Sequence, residues 1–166
     1  DMTKEEFQSW VAALSEGEQR NATGFFTTIR RTPDRSLKAV PYNEEYGAEL
    51  QRGASLLREA AALTDNGSLR TFLTKRADAF LSNDYYDSDV AWMDLDSPID
   101  ITIGPYEVYL DELFNYKAAF EAFVTLRNDE ETAKLGKFSS WLQDIENNLP
   151  IAPALRNPKL GGMAPI

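Results

Sequence analysis

The stretch from Asn43 to Leu81 reads NEEYGAELQRGASLLREAAALTDNGSLRTFLTKRADAFL, and it decides the fold that the sequence predicts. In its first half, apolar residues recur every three or four positions, which predicts an α-helix over residues 43–64. The turn signal DNG at residues 65–67 ends that helix. A second apolar stripe in helical phase follows at once, and so short a link predicts an antiparallel helical hairpin.

The chain before the hairpin predicts short helices and a basic loop. Thr3 and Glu6 have the spacing of a capping box, and an apolar helical face follows them. A second helical piece is predicted over residues 19–28. The arginine-rich segment 30–35 contains Pro33, which disfavours a helix, and it is interpreted as a solvated loop.

The chain after the hairpin changes character. Residues 83–100 read NDYYDSDVAWMDLDSPID, an acidic and aromatic run with little helical period, and a loop is predicted there. Ile99, Ile101 and Ile103 alternate with polar residues, which predicts a strand that Gly104-Pro105 closes. The run 118–127 fits either a strand or a helix, and the strand is preferred.

A long helix and a tail complete the chain. Asn128 opens the helix, an apolar face follows from Leu135 to Leu149, and Pro150 stops it. The fold class is therefore α+β and mainly helical, with a helical hairpin, a long C-terminal helix and a small sheet of two or three strands around residues 99–127. Residues 1–150 are predicted to form a single domain, and residues 151–166 an extended arm rich in proline and glycine.

Composition excludes several functions. The 166-residue chain has 27 acidic and 17 basic residues and a net charge of −10, so its field repels nucleic acid and anionic membranes. No apolar run approaches the ~18 residues of a membrane span. The chain has neither histidine nor cysteine, which removes Ser-His-Asp triads, thiol nucleophiles and histidine zinc sites. The absence of cysteine favours a reducing compartment, and a cytoplasmic location is predicted.

Two patterns could carry chemistry. The aspartates between Asp84 and Asp100 offer oxygen ligands to a hard cation, but the calcium-loop template lacks its glycine and its glutamate, so solvated or capping aspartates are the commoner explanation. Glu107 and Tyr109 are two residues apart and would face one side of a strand. A carboxylate can anchor an ammonium group and a phenol can donate to an oxyanion, although a solvated glutamate beside a half-buried tyrosine is the commoner arrangement. The third site candidate is Trp92, a wall for a ligand or an ordinary core contact.

Several long segments resemble one family in the same order. They are TKEEFQSWVAALS, ATGFFTTIRR, VPYNEEYGAEL, FLSNDYYDSDVAWMDLDSPIDITIGPYEVY, YKAAFEAFVTLRNDEETAKLGKFSSWLQ and NPKLGGMAPI. Together they resemble the dipeptidyl peptidase III family of zinc metallopeptidases, in particular its bacterial and plant branch, which is sometimes fused to a Nudix hydrolase domain. The chain has no Nudix box, so any Nudix activity would lie elsewhere in such a protein.

The resemblance implies a two-lobed peptidase with a wide cleft. Zinc would be bound in the parent protein by a His-Glu-x-x-Gly-His type motif, and this chain has no zinc ligands. The family's Glu-x-Tyr pair matches Glu107 and Tyr109: Glu107 would bind the substrate amino terminus, and Tyr109 would be the catalytic residue that steadies the oxyanion. Trp92 corresponds to a cleft tryptophan, and Leu110 stands where the animal enzymes have an arginine, which changes the local salt bridges.

The resemblance thus predicts a substrate-binding-lobe segment of a zinc-dependent peptidase that removes dipeptides from peptide amino termini. The parent would be the enzyme, and this chain alone would not be catalytic. Its partners would be short peptides, the remainder of the parent chain and a second copy bound through uncovered apolar surface. The alternative is a non-enzymatic acidic helical interaction module, and a third hypothesis is a metal-binding domain that uses the aspartates of residues 84–100.

Overall fold

The computed structural model describes residues 2–160 of the chain. Its elements, in order, are α1 Lys4–Ala12, α2 Glu16–Thr23, β1 Thr27–Arg31, β2 Leu37–Pro41, α3 Tyr42–Glu45, α4 Gly47–Leu63, α5 Gly67–Ser82, α6 Tyr86–Met93, β3 Ile99–Glu107, β4 Ala119–Leu126 and α7 Asp129–Asn147, followed by a 3₁₀ turn at Pro153–Leu155. The predicted α+β, mainly helical class is confirmed.

The helical hairpin forms as predicted and supplies the core. The buried residues of α4 are the predicted stripe at Leu50, Ala54, Leu57 and Ala61. They face α5, whose buried residues are Leu69, Phe72, Leu73, Arg76, Ala77, Ala79 and Phe80. Asn66 caps α5, because its side chain accepts a hydrogen bond from the backbone N–H of Leu69 at 2.8 Å. The short link and the two stripes therefore produce antiparallel packing from local sequence alone.

A β-hairpin replaces the end of the helix that was predicted over residues 19–28 and part of the basic loop that was predicted over residues 30–35. Helix α2 ends at Thr23, and β1 pairs antiparallel with β2, with Ile29 opposite Ala39. The prediction was wrong because two arginines in β1 were interpreted as loop residues. Both are paired on the strand: Arg30 forms a salt bridge with Glu45, and Arg31 binds both oxygens of Glu6 at 2.9 Å.

Helix α6 lies inside the run that was predicted to be a loop. Its first turn begins where the Asp84 side chain accepts a hydrogen bond from the backbone N–H of Tyr86 at 3.1 Å. Ser88 and Ala91 are its buried residues. Aspartate is a poor residue for a helix interior, but it is favoured in the first turn, where its charge opposes the helix dipole. The side of α6 that packs against the protein has only two buried residues, too few to show a helical period in the sequence.

The second sheet has two strands, β3 and β4, and the strand preference for residues 118–127 is confirmed. Strand β3 continues past Gly104-Pro105 and ends at Glu107. Gly104 permits this continuation, because its φ is 155° and a Cβ there would lie 2.8 Å from both Nη1 of Arg76 and the Tyr106 ring. The glycine is therefore a close-approach position within the strand.

The described part of the chain forms two compact units, residues 2–97 with 101–124 and residues 98–100 with 125–160. In the second unit, Asn128 caps α7 as predicted by accepting from the backbone N–H of Glu131 at 3.1 Å. None of the α7 residues, all of which the structure describes, is buried. The predicted 151–166 arm contains the 3₁₀ turn in its described part, and residues 161–166 lie outside the described residues.

Large apolar side chains are exposed on β4 and on α7. These exposed side chains are Phe120, Phe123, Val124 and Leu126 on β4 and Phe138, Trp141 and Ile145 on α7. Exposed apolar surface is what the sequence led us to expect, and the homodimer that it suggested stays a prediction. None of the helices described between residues 2 and 160 combines the length and the apolar character that crossing a bilayer requires.

Candidate functional site

Glu107 and Tyr109 lie at the end of β3, but not on one strand as their spacing suggested. Glu107 is the last residue of the strand, and Tyr109 follows two positions later with 65% of its surface exposed. The two side chains nevertheless interact. A hydrogen bond to the Glu107 carboxylate raises the pKa of the Tyr109 phenol, and the negative charge of that carboxylate raises it further. The phenol therefore keeps its proton at neutral pH and is a hydrogen-bond donor.

A second carboxyl group, Glu121 of β4, faces Glu107. The pKa of Glu121 is raised, first because its protonated carboxyl can donate a hydrogen bond to Glu107, then through partial desolvation and the repulsion of two like charges. Sequence reasoning missed Glu121, since it lies fourteen positions from Glu107 in the sequence and only the pairing of β3 with β4 brings the two together.

One oxygen of Glu107 lacks a partner. Its Oε2 is buried, and nowhere in residues 2–160 does it find a hydrogen-bond donor. Buried carboxylate oxygens are rarely left unpaired, because each loses its hydration without compensation. With two carboxyl groups and a phenolic donor together, the arrangement suits a ligand that brings both a cationic N–H donor and an oxygen acceptor.

Trp92 lines an apolar pocket between α6 and β3. The cavity has a volume of about 300 Å³, and Trp92 itself is 42% exposed. Its other walls are formed by Arg76, Asp89, Met93, Ile101, Thr102, Ile103 and Tyr106. Glu107 and Tyr109 are not among the lining residues that the structure describes. Trp92 and Tyr106, the neighbour of Glu107 in the sequence, therefore line the same pocket.

A buried arginine holds the wall of this pocket. Arg76 of α5 is 1% exposed, and its Nη2 donates to Oδ1 of Asp89 on α6 at 2.8 Å. The hydroxyl of Tyr106 on β3 donates to the same oxygen at 2.5 Å. Burial, and the hydrogen bond to Asp89, raise the pKa of the Tyr106 phenol, so it stays protonated and remains a donor. Three elements thus meet at one carboxylate oxygen.

Aromatic rings surround the guanidinium of Arg76. Its Cζ lies 5.3 Å from the centroid of Phe72, 5.5 Å from that of Tyr85 and 5.2 Å from that of Tyr106. Nε and Nη1 find no oxygen or nitrogen acceptor in the described part of the chain. The negative faces of the rings compensate in part for the missing acceptors. In the sequence, Arg76 is in helical phase with the apolar stripe of α5, and this position is the signal that indicates a buried charge.

The described residues do not fit a zinc or calcium site. Residues 2–160 contain no group of three His, Cys, Asp or Glu side chains arranged to bind a metal ion. Asp89, the central member of the aspartate-rich run, is bound to Arg76 and Tyr106. A zinc ion of the kind that the resemblance implies would need ligands from residues other than those described.

The model of peptidase family M49 matches residues 2–158, and the chain therefore belongs to that family. The chain is similar to dipeptidyl-peptidase III from Corallococcus sp. strain EGB, with 62% identity, a TM-score of 0.79 and coverage of 98% of this chain. It is also similar to DPP III from Caldithrix abyssi, with 54% identity, a TM-score of 0.85 and 95% coverage.

The relatives are much longer than this chain. It covers 30% of each of the two solved structures. It is 43% identical over 171 residues to Nudix hydrolase 3 of Arabidopsis thaliana. That alignment covers 91% of this chain but 22% of the Arabidopsis protein. The predicted family and its association with Nudix proteins are thereby confirmed.

Proposed function

We propose that this chain forms the part of a zinc-dependent dipeptidyl peptidase that binds the amino terminus of a short peptide. In this proposal, the Glu107 carboxylate accepts hydrogen bonds from the substrate ammonium group. The observation that carries it is the buried Oε2 of Glu107, which has no donor in residues 2–160. An ammonium group brings three N–H donors and a positive charge, and so compensates for burial of the carboxylate.

Glu121 would make the site selective for a cation. Glu107 raises the pKa of the neighbouring Glu121, which shows that two carboxylates at this position repel each other. A bound ammonium group would offset this repulsion. A peptide with a blocked, uncharged amino terminus brings no such charge. Binding of a free amino terminus should therefore release a proton from Glu121 when the pH is near the raised pKa.

Tyr109 would act on the reacting carbonyl. Its phenol keeps its proton because the neighbouring Glu107 raises its pKa. Once the substrate ammonium group binds Glu107, the single phenolic O–H can turn from Glu107 and donate to the carbonyl oxygen as that oxygen gains negative charge. The donor is useful only if it is held in the geometry of the transition state. Trp92 would supply an apolar wall at the pocket between α6 and β3.

The test uses the full-length protein and a dipeptide linked to a fluorescent arylamine. Glu107→Gln should raise KM for this substrate at least tenfold, because it removes the charge that the ammonium group contacts. Glu49→Gln, which makes the same change at an exposed position of α4, is the matched control and should leave KM unchanged. Equal KM values for the two variants would favour the non-enzymatic interaction module over the peptidase assignment of this site.

Tyr109→Phe separates the second role from the first. It should lower kcat at least tenfold with little change in KM, since the phenol acts on developing charge rather than on the bound substrate. Tyr86→Phe is the matched control, because Tyr86 is 74% exposed and has no part in the proposed site. A normal kcat in Tyr109→Phe would remove Tyr109 from the mechanism and leave Glu107 as a binding residue only.

A further inference from the structure

The connection between β3 and β4 is organised around one carboxylate. Oδ1 of Asp111 accepts hydrogen bonds from the backbone N–H groups of Leu113 and Asn115, each at 3.0 Å. Oδ2 accepts from the N–H groups of Tyr116 and Lys117, each at 2.8 Å. Four backbone N–H groups of this connection therefore donate to one side chain, and the connection folds around it.

The backbone of this connection is strained without that carboxylate. Glu112, Phe114 and Asn115 have φ values of 52°, 60° and 58°, in the left-handed region. None of them is glycine, and each such residue costs on the order of 1 kcal/mol or more unless its surroundings compensate. The hydrogen bonds to Asp111 are the local interactions that offset this cost.

The far end of the connection is anchored in the first unit. Nζ of Lys117 donates to the carbonyl oxygens of Ala22 and Gly24 and to Oγ1 of Thr27, at 2.7, 2.8 and 2.8 Å. The next residue, Ala118, accepts from the hydroxyl of Tyr42 at 2.7 Å. The connection is thus fixed where it enters β4, two residues before Phe120 and three before Glu121.

Its near end has no comparable anchor of its own. Tyr109 lies outside β3 and is 65% exposed, so neither a strand ladder nor burial sets the direction of its side chain. An exposed tyrosine loses side-chain entropy when it is held in one rotamer. Along the chain, Tyr109 lies two residues after the end of β3 and two residues before Asp111, whose turn fixes the chain on that side.

We propose that Asp111 is a positioning residue for Tyr109. By fixing the backbone that follows from Asp111 to Lys117, its four hydrogen bonds restrict the segment that carries Tyr109 and keep the phenol beside Glu107. The inference rests on the proposed function, since positioning has a consequence for rate only if Tyr109 acts in the reaction. Asp111 touches no substrate in this account and acts only through Tyr109.

The test is a double-mutant cycle in the full-length protein, assayed with a dipeptide linked to a fluorescent arylamine. The variants are Asp111→Asn, Tyr109→Phe and the double variant. Asparagine keeps one acceptor oxygen but presents an NH₂ group to two of the four donors. Asp111→Asn should lower kcat at least tenfold and change KM less than threefold. In the Tyr109→Phe background, the same substitution should lower kcat less than twofold further.

Asp34→Asn is the matched control, because Asp34 closes the β1–β2 turn by accepting from the backbone and the hydroxyl of Ser36 at 3.4 and 3.0 Å. It should leave kcat unchanged. Additive losses in the cycle, or a kcat for Asp111→Asn equal to that of Asp34→Asn, would overturn the positioning role alone. A wild-type kcat in Tyr109→Phe would instead overturn the proposed role of Tyr109. Asp111→Ser, which retains one acceptor oxygen, replaces Asp111→Asn in the cycle if the latter does not fold.

Discussion

Two cations flank the Glu107–Tyr109 segment, Arg76 buried and Lys117 half-buried, and they are held in different ways. Arg76, which contacts β3 before Glu107, has one carboxylate partner and lies among three aromatic rings. Lys117, which follows Tyr109, donates to three neutral oxygens. The planar, weakly hydrated guanidinium tolerates aromatic faces, whereas the compact ammonium requires an oxygen for each N–H. The first arrangement depends on a charge pair, and the second on the completeness of a hydrogen-bond set.

The largest expected effect on stability comes from breaking the pair between Arg76 and Asp89. Asp89→Ala removes the carboxylate and leaves the guanidinium of Arg76 buried without a counter-charge, which should lower the free energy of unfolding by about 2–4 kcal/mol. Asp78→Ala breaks the Arg58–Asp78 pair, whose side chains are 48% and 63% exposed, and should cost less than about 1 kcal/mol. Urea unfolding of both variants measures the difference, and equal losses would show that burial of Arg76 does not set the strength of its pair.

The second largest effect on stability is expected from removing the hydrogen bonds of Lys117. Lys117→Met keeps the apolar stem but leaves the oxygens of Ala22, Gly24 and Thr27 without their donor, at a cost of about 2–3 kcal/mol. Lys38→Met on β2 removes an exposed lysine and should change stability by less than about 0.5 kcal/mol. Thermal or urea unfolding compares them. A loss for Lys117→Met no greater than the control would contradict the role given to its three hydrogen bonds.

Gly104 tests how closely the strand approaches Arg76. Gly104→Ala would place a Cβ 2.8 Å from Nη1 of Arg76 and from the Tyr106 ring, so the strand or the cation must shift, at a cost of about 1–3 kcal/mol. Gly136→Ala in α7 meets no atom within 4 Å and should instead stabilise the helix by about 0.5–1 kcal/mol. Opposite signs in the two unfolding curves are expected, and a neutral Gly104→Ala would mean that β3 does not need this glycine.

The smallest effect is a pH dependence of the free energy of unfolding, which is expected for Lys117 and not for Arg76. Burial lowers the pKa of Lys117 from its ordinary value of 10.5 to about 8. Between these two values the unfolded chain binds more protons at this position than the native chain. The contribution of Lys117 to the free energy of unfolding should therefore rise as the pH rises through 8.

Urea unfolding at pH 7.0 and pH 9.5 provides the test. The difference in stability between wild type and Lys117→Met should grow by a fraction of a kcal/mol to about 1 kcal/mol over this range, after allowance for the partial exposure of the side chain. The corresponding difference between wild type and Lys38→Met should stay constant. A constant difference for Lys117→Met as well would show that the ammonium keeps its ordinary pKa.

The sequence predicted those elements whose signals are local. The α4–α5 hairpin follows from two apolar stripes and one turn, and α7 follows from its Asn128 cap and its apolar spacing. Strand β1 was missed because its two arginines resemble a loop until Glu6 and Glu45 are seen beside them. Helix α6 was missed because its aspartates obscure a packing face of two residues.

The candidate site divides in the same way. Glu107, Tyr109 and Trp92 could be named from a resemblance in sequence, and their roles remain predictions. Glu121, Asp89 and Asp111 could not, because each acts through a contact that forms only when distant or turning segments meet. The aspartates in particular carry no distinguishing local signal: Asp84 accepts from the backbone N–H of the first residue of α6, Asp89 pairs with a buried arginine and Asp111 organises a turn.

The central claim is that Glu107 recognises a charged amino terminus, and a binding measurement tests it most directly. Isothermal titration of the full-length protein would compare a short peptide with its amino-terminally acetylated form, in wild type and in Glu107→Gln. Acetylation should weaken binding at least tenfold in wild type and less than threefold in Glu107→Gln, because in the variant the positive charge that acetylation removes has no carboxylate partner. The same loss on acetylation in both proteins would contradict the claim.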